Sequence, residues 1–147
     1  MSRAISLLLE QVKKREEAAR LQYQKALSDR AVCQKNLDAI NNYREIYTGE
    51  LNKAGADGMT NSTLVQYNNF INRLDKASED QVTNLRKADD IIAQRLKEYQ
   101  DLQTRRKGLE KLLENEELRR QEKEAKAEQK LTDESALHSF MRSRSDF

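Results

Sequence analysis

The sequence predicts an all-α protein, a long antiparallel two-stranded coiled-coil hairpin with an overhanging C-terminal helix. Its 147 residues contain no proline, the residue that most strongly interrupts helices. Three of its four glycines lie together at Gly49, Gly55 and Gly58. Compact folds place turns, usually made by glycine and proline, along the whole chain. A chain with one turn region and 35% charged residues therefore favours long helices joined once.

The first helix is predicted over residues 3–51. Apolar side chains recur at alternating steps of four and three residues from Ile5 to Leu51, and eleven of the fourteen positions on this path are apolar. An average spacing of 3.5 residues places these side chains on one stripe of a helix, which is the seam of a coiled coil. The exceptions are Glu16, Arg30 and Arg44.

The chain is predicted to reverse over residues 52–60. Gly55 and Gly58 can adopt the positive φ that a tight reversal requires. Thr60 has the side chain of a helix N-cap and is placed to begin the second helix. Helices joined by so short a loop run antiparallel. The expected register brings Tyr23 opposite Ile92 and Tyr43 opposite Phe70.

The second helix is predicted over residues 61–130, with a short tail helix over 133–142. The coiled-coil spacing continues from Leu64 to Leu113, where eleven of fifteen positions are apolar. Beyond Leu113 the first helix has no residues left to pair with, and the side chains are densely charged with both signs. We therefore expect a solvated, overhanging helix within a single domain that spans residues 1–147.

The residue types favour a protein without enzymatic activity. Cys33 and His138 are the only cysteine and histidine, whereas a metal site needs three or four ligands. Cys33 lies on the seam, where a thiol acts as a small apolar side chain. The glycine-rich loops that bind nucleotide phosphates are absent from the sequence. We expect no catalytic residue, no metal and no cofactor.

Charge and hydropathy indicate a soluble, cytoplasmic protein. The net charge is only +2, which argues against nucleic acid as a partner. One cysteine is compatible with a reducing compartment. The apolar run at Leu7, Leu8 and Leu9 is too short for a signal peptide, and no stretch approaches the length of a membrane span.

Two groups of side chains are candidates for binding proteins. Basic residues cluster in both helices, away from the turn, where they would attract an acidic partner. They are Lys13, Lys14, Arg15, Arg105, Arg106 and Lys107. Near the turn, the edge of the coiled coil carries Tyr43, Phe70 and Ala77, where charged residues are usual. Exposed aromatic side chains on a thin coiled coil are typical of a binding site.

The residues around the turn resemble those of the FliJ family of the flagellar type III export apparatus. The resemblance is carried by NNYREIY at residues 41–47 and by QYNNFINRLDKA at residues 66–77. The length, the two-helix organisation and the tail at residues 133–142 are also similar. The run after the turn is the most specific part, because coiled coils otherwise resemble one another easily.

The resemblance implies a non-catalytic stalk, similar to the central shaft of rotary ATPases. FliJ proteins associate with the hexameric export ATPase, promote its assembly, and contact the membrane export gate protein FlhA and export chaperones. The implied location is cytoplasmic, peripherally associated with the inner membrane at the flagellar base and without insertion into the membrane. The FlhA-facing surface would comprise Asn36, Ile40, Tyr43, Tyr47, Phe70, Leu74, Ala77 and Gln81. The six basic residues away from the turn are, by position, the candidates for contact with the ATPase ring.

Other functions stay open from the residues alone. A generic structural coiled-coil adaptor, or the counterpart stalk of an injectisome, fits the same seams. A transcription factor that enters the polymerase channel would place several acidic residues at the turn, where this chain has only Asp57. A prefoldin-like chaperone would need strand-forming segments between its helices, and residues 52–62 contain none.

Overall fold

The computed structural model describes residues 2–145. These residues form two α-helices, α1 (Ser2–Asp57) and α2 (Asn61–Ser145), which pack against each other. No strand occurs between residues 2 and 145. The predicted fold class, an all-α coiled-coil hairpin, is confirmed.

The reversal is shorter than the sequence predicts. Helix α1 continues past Leu51 to Asp57, so that Gly55 lies inside the helix. Gly58 alone among the described residues has a positive φ, of 89°, the conformation that commonly ends a helix. Thr60 is the N-cap of α2 as predicted, because the backbone N–H of Thr63 donates to its Oγ1 at 3.3 Å. The predicted turn over 52–60 was too long because an exposed helix tolerates glycine at a cost of about 1 kcal/mol.

The C-terminal part of α2 is one helix and not two. The break predicted before residue 133 is absent, since α2 is continuous to Ser145. Asp133 does not cap a new helix; its Oδ1 accepts a hydrogen bond from Gln129 Nε2 at 3.0 Å, one helical turn earlier. Thr132 Oγ1 donates to the carbonyl of Glu128 at 2.9 Å. All side chains from residue 117 to residue 145 are exposed, as expected for the overhang.

The coiled-coil seam follows the predicted path through both helices. We number the heptads so that the seam residues occupy positions a and d. Position a is Leu9 in α1 and Ile71 in α2, and position d is Val12 in α1 and Leu74 in α2. Every seam residue from Ile5 to Leu113 is buried or half-buried except Arg44 and Leu64. A 3.5-residue repeat therefore determines which faces meet.

The chain divides into two compact units. The terminal unit contains the described residues up to Arg15 and those from Leu102 onward, and the turn unit is Glu16–Asp101. In the terminal unit Leu9, Val12 and Leu109 form a buried cluster. The partly buried residues around this cluster are Ile5, Leu102 and Leu113.

In the turn unit the two helices face each other in a register that differs from the expected one. Tyr23 stacks on Tyr99, with ring centroids 6.4 Å apart, whereas the expected register placed it opposite Ile92. Phe70 packs against Tyr47, with centroids 4.5 Å apart, and not against Tyr43. Because α1 extends to Asp57, the reversal lies later in the chain than predicted. Residues of α1 therefore face residues further along α2.

The arginines in the α1 seam are paired with carboxylates of α2. Arg30 Nε lies 2.5 Å from Asp89 Oδ1, and Arg44 Nε donates to Asp75. Each arginine thus keeps its charge at the edge of the seam while its aliphatic part can cover the seam. Two of the three positions that interrupt the apolar pattern of α1 therefore contribute interhelical ion pairs.

Candidate protein-binding surfaces

The eight residues expected to face FlhA all belong to the turn unit, and we call them the tip surface. Four of them occupy seam positions and are half-buried, namely Ile40, Tyr47, Leu74 and Gln81. The other four occupy g positions, beside the seam, namely Asn36, Tyr43, Phe70 and Ala77. In an antiparallel pair the g positions of both helices lie along one edge. The tip surface therefore has a half-buried row and a more exposed row.

The centre of the tip surface is the contact between Tyr47 and Phe70. Their rings are tilted by 56°, within the range that aromatic pairs favour. An open pocket of about 330 Å³ adjoins them and is also lined by Thr63, Gln66 and Tyr67. The sequence did not single out Thr63, and Gln66 was named only as the first residue of the run at 66–77. What marks them is spacing, since Thr63 lies four residues before Tyr67 and Gln66 lies four residues before Phe70, on one helix face.

Tyr43 presents the most exposed aromatic ring of the tip surface. Its relative exposure is 55%, and Phe70 is also classed as exposed. Tyr43 makes no ring contact with another aromatic residue between residues 2 and 145. An aromatic side chain at a g position, where a charged residue is usual, has no evident role in packing the hairpin.

On the opposite edge of the same region, polar side chains of α1 are bonded to side chains of α2. Arg44 pairs there with Asp75, and Ser78 Oγ donates to Asn41 Oδ1 at 3.2 Å. One edge of the coiled coil therefore carries interhelical polar bonds, and the other carries the exposed Tyr43 and Phe70 with the half-buried Ala77. This asymmetry distinguishes the tip surface from a uniformly solvated coiled coil.

Two buried polar atoms of the turn unit lack a hydrogen-bond partner within the described residues. They are Thr48 Oγ1 and the Oε1 atom of Gln81. An unsatisfied buried polar atom costs about 1–3 kcal/mol. Gln81 belongs to the tip surface, whereas Thr48 follows Tyr47 and was not singled out by the sequence. The seam is therefore locally less favourable here than in the terminal unit.

The six basic candidates all lie in the terminal unit, but the structure does not bring them to one face. Arg15 and Arg105 occupy g positions, and Lys13 occupies an e position on the other edge. Lys14 and Lys107 point outward at positions f and b. These five side chains are exposed and form no ion pair within residues 2–145.

Arg106 differs from the other five basic candidates. It occupies an a position in the seam, where it is half-buried. Its Nη1 donates to Glu110 Oε2 at 3.1 Å. Arg106 therefore contributes to the packing of the terminal unit in addition to its charge.

The paired helical segments of the terminal unit carry a net positive charge. Residues 2–15 and 102–113 contain eight Lys and Arg against two Glu, a net charge of +6. Since the whole chain carries +2, all other residues together carry −4. The near-neutral total therefore conceals a strongly basic segment, which favours association with acidic surfaces.

Neither metal nor membrane chemistry is indicated by the described residues. Between residues 2 and 145 no group of three or more His, Cys, Asp and Glu side chains is placed to hold a metal ion. Neither α1 nor α2 contains an apolar stretch long enough to cross a bilayer. Cys33 is half-buried, and its sulfur is a free thiol.

The comparisons with known proteins identify a family. The family described as "Flagellar FliJ protein" matches residues 1–145, which is nearly the whole chain. No curated protein and no solved structure matches the chain. FliJ proteins are structural, coiled-coil components of flagellar protein export. The two packed helices and the sequence around the turn agree with this match, and the chain belongs to the FliJ family.

Proposed function

We propose that this protein is a non-catalytic stalk of the flagellar type III export apparatus. Its terminal unit binds the hexameric export ATPase and promotes assembly of the ring. Its tip surface binds the export gate protein FlhA, and it also interacts with export chaperones. Binding to FlhA holds the protein peripherally at the inner membrane, at the base of the flagellum.

The observation that carries this proposal is the asymmetry of the two edges near the turn. Tyr43 and Phe70 are exposed on one edge, while Arg44 and Asn41 are bonded to α2 on the other. Aromatic side chains contribute a disproportionate share of the energy of protein interfaces. Tyr43 supplies a hydroxyl as well as an apolar ring, which suits an interface that is partly solvated.

We attribute the promotion of ring assembly to preferential binding of the terminal unit to the assembled ATPase ring. If the terminal unit contacts several ATPase subunits at once, it binds the assembled ring better than separate subunits and shifts the equilibrium toward the ring. The exposed Arg15, Arg105 and Lys107 support this contact, because unpaired cations are free to meet carboxylates of a partner. The charge also accelerates the encounter at low ionic strength.

The tip assignment is tested by the variant Tyr43→Ala and the double variant Tyr43→Ala/Phe70→Ala. Hot-spot side chains cost about 2 kcal/mol or more on truncation, so affinity for the cytoplasmic part of FlhA should fall roughly 30-fold in the double variant. The measurements are calorimetric binding and swarming of a complemented strain. Tyr43→Ala alone leaves the ring contact of Phe70 with Tyr47 in place, so its effect reports binding and not folding.

Val65→Ala is the matched control for the tip. Val65 is exposed and belongs to the turn unit, but it occupies heptad position b, on the side of α2 away from the g edge. This variant should bind FlhA as the wild type does. Wild-type affinity and wild-type swarming in the double Tyr43/Phe70 variant would show that the tip surface is not the FlhA site.

The ATPase assignment is tested by Arg105→Glu/Arg106→Glu/Lys107→Glu. Reversing three charges should abolish stimulation of the export ATPase, which is measured as phosphate release. Because Arg106 lies in the seam, Arg105→Glu/Lys107→Glu is measured beside it, with circular dichroism as a check on folding. Unchanged ATPase turnover with both variants would refute the assignment.

A further inference from the structure

We propose that the g edge of the terminal unit is a composite docking surface made by Leu8, Arg15, Arg105 and Leu112, which we call the Leu–Arg edge. The partner it fits is a protein surface with aliphatic side chains bordered by carboxylates. This proposal rests on the proposed function, since it specifies how the terminal unit meets the ATPase ring. The sequence had pointed to basic residues alone.

The first observation is aliphatic surface left open beside a packed core. Leu8 is 39% exposed and Leu112 is 51% exposed, although each directly precedes a seam residue, Leu9 or Leu113. Leu9 is buried in the cluster of the terminal unit, and Leu113 packs against that cluster. Leu8 and Leu112 therefore border the core without being covered by it.

The second observation is the register of the two helices. Leu9 and Val12 share one buried cluster with Leu109, which brings the N-terminal part of α1 alongside this part of α2. Positions Leu8 and Leu112 are both g and fall on the same edge. Arg15 and Arg105 are also g positions, one heptad nearer the turn in each helix, at a distance of about 10 Å along the axis. Two leucines and two arginines thus follow each other on one edge.

The third observation is the charge of the surroundings. The paired segments carry eight Lys and Arg against two Glu, so a second copy placed on this edge would meet like charges. An acidic protein surface is complementary to it. Leucine at the centre of a contact with arginine beside it matches the usual arrangement of an apolar interface core with a polar rim.

A lipid surface fits less well than a protein. A helix that lies in the membrane interface presents a broad apolar face to the acyl chains. Here the main apolar stripe of each helix is used by the seam, with Leu9, Val12 and Leu109 buried. What stays open is a narrow edge, whose shape suits a groove between protein elements.

Two double variants test the Leu–Arg edge, Leu8→Ser/Leu112→Ser and Arg15→Gln/Arg105→Gln. The matched control is Arg3→Gln/Lys111→Gln, which removes the same charge from the same unit at exposed b and f positions away from this edge. Binding of each full-length variant to the purified hexameric export ATPase is measured by interferometry at several salt concentrations. Circular dichroism checks that each variant keeps the helicity of the wild type.

Both edge variants should weaken binding at least 10-fold, and the Arg3/Lys111 control should weaken it less than 3-fold. The arginine variant should also flatten the salt dependence of binding, whereas the leucine variant should leave its slope unchanged. If the leucine variant binds as the wild type does while charge-reversal variants lose binding, the Leu–Arg edge is wrong and the proposed ATPase function stands.

Other outcomes overturn the proposal in different ways. If the wild type does not bind the ATPase at all, the proposed function fails together with the edge. Co-sedimentation with vesicles containing 30% phosphatidylglycerol that depends on Leu8 and Leu112, without ATPase binding, would identify a membrane as the occupant. Light scattering that shows a wild-type dimer, dissociated by the leucine variant, would identify a second copy.

Discussion

The buried valine of the terminal unit offers the sharpest test of how this fold is stabilised. Val12 is 2% exposed, the most completely buried large side chain among the described residues. It packs with Leu9 and Leu109. Val32 lies on the same helix but is 58% exposed. Val12→Ala and Val32→Ala therefore remove the same atoms from two different environments.

The expected difference follows from burial and helix propensity. Removing two methyl groups from a buried site costs about 1.6 kcal/mol at about 0.8 kcal/mol for each carbon. The cavity between Leu9 and Leu109 adds about 1 kcal/mol. Alanine gains up to about 0.7 kcal/mol over valine in a helix. Val12→Ala should thus lose about 2 kcal/mol, and Val32→Ala should gain a few tenths.

The assay is urea unfolding followed by circular dichroism at 222 nm, with amide hydrogen exchange to locate the effect. Exchange in Val12→Ala should accelerate in residues 5–12 and 102–113 of the terminal unit. Equal unfolding free energies for the two variants would refute the reasoning. In that case the cluster around Val12 would not contribute to stability as its burial suggests.

Two further predictions concern the turn and the overhang. Gly58→Ala should destabilise the protein by about 1–2 kcal/mol because the φ of Gly58 is 89°. Gly55 lies within a helix and has open space around it, so Gly55→Ala should stabilise the protein by up to about 1 kcal/mol. Urea unfolding of the two variants measures both free energies. The hydrogen bond from Arg120 holds the pKa of the Glu117 carboxyl below its ordinary 4.5. Its contribution is therefore present above pH 4.5 and is lost as the pH falls through the lowered pKa. Carbon-13 titration should show Arg120→Gln raising this pKa; an unchanged value would contradict the pairing.

The seam could be predicted from the sequence because the buried residues follow the 3.5-residue spacing of apolar side chains, which is visible along each helix. The register could not, since it depends on the residue at which the chain reverses, and the sequence placed that reversal too early. Tyr23 therefore stacks on Tyr99, whereas the expected register placed Ile92 opposite it. The end of α1 was missed because Gly55 is a turn residue by type, yet a helix accommodates it.

The candidate surfaces were predictable where a residue type is unusual for its heptad position. Tyr43 and Phe70 stood out because aromatic side chains occupied an edge where charge is expected. Leu8 and Leu112 carry the same kind of signal but were hidden by neighbouring seam leucines. Their exposure beside a buried cluster becomes evident only once the two helices are aligned.

The arginines in the α1 seam give this repetitive chain a means of choosing one alignment among several. A slip of one heptad would bring Arg44 opposite Asn68 or Val82, and Arg30 opposite Val82 or Leu96, instead of their aspartates. No slipped pairing offers both guanidinium groups a carboxylate. Each exposed pair adds less than about 1 kcal/mol to stability, yet the wrong alignments forfeit both at once. These two weak ion pairs thus favour one alignment of the helices, which the apolar repeat alone does not determine.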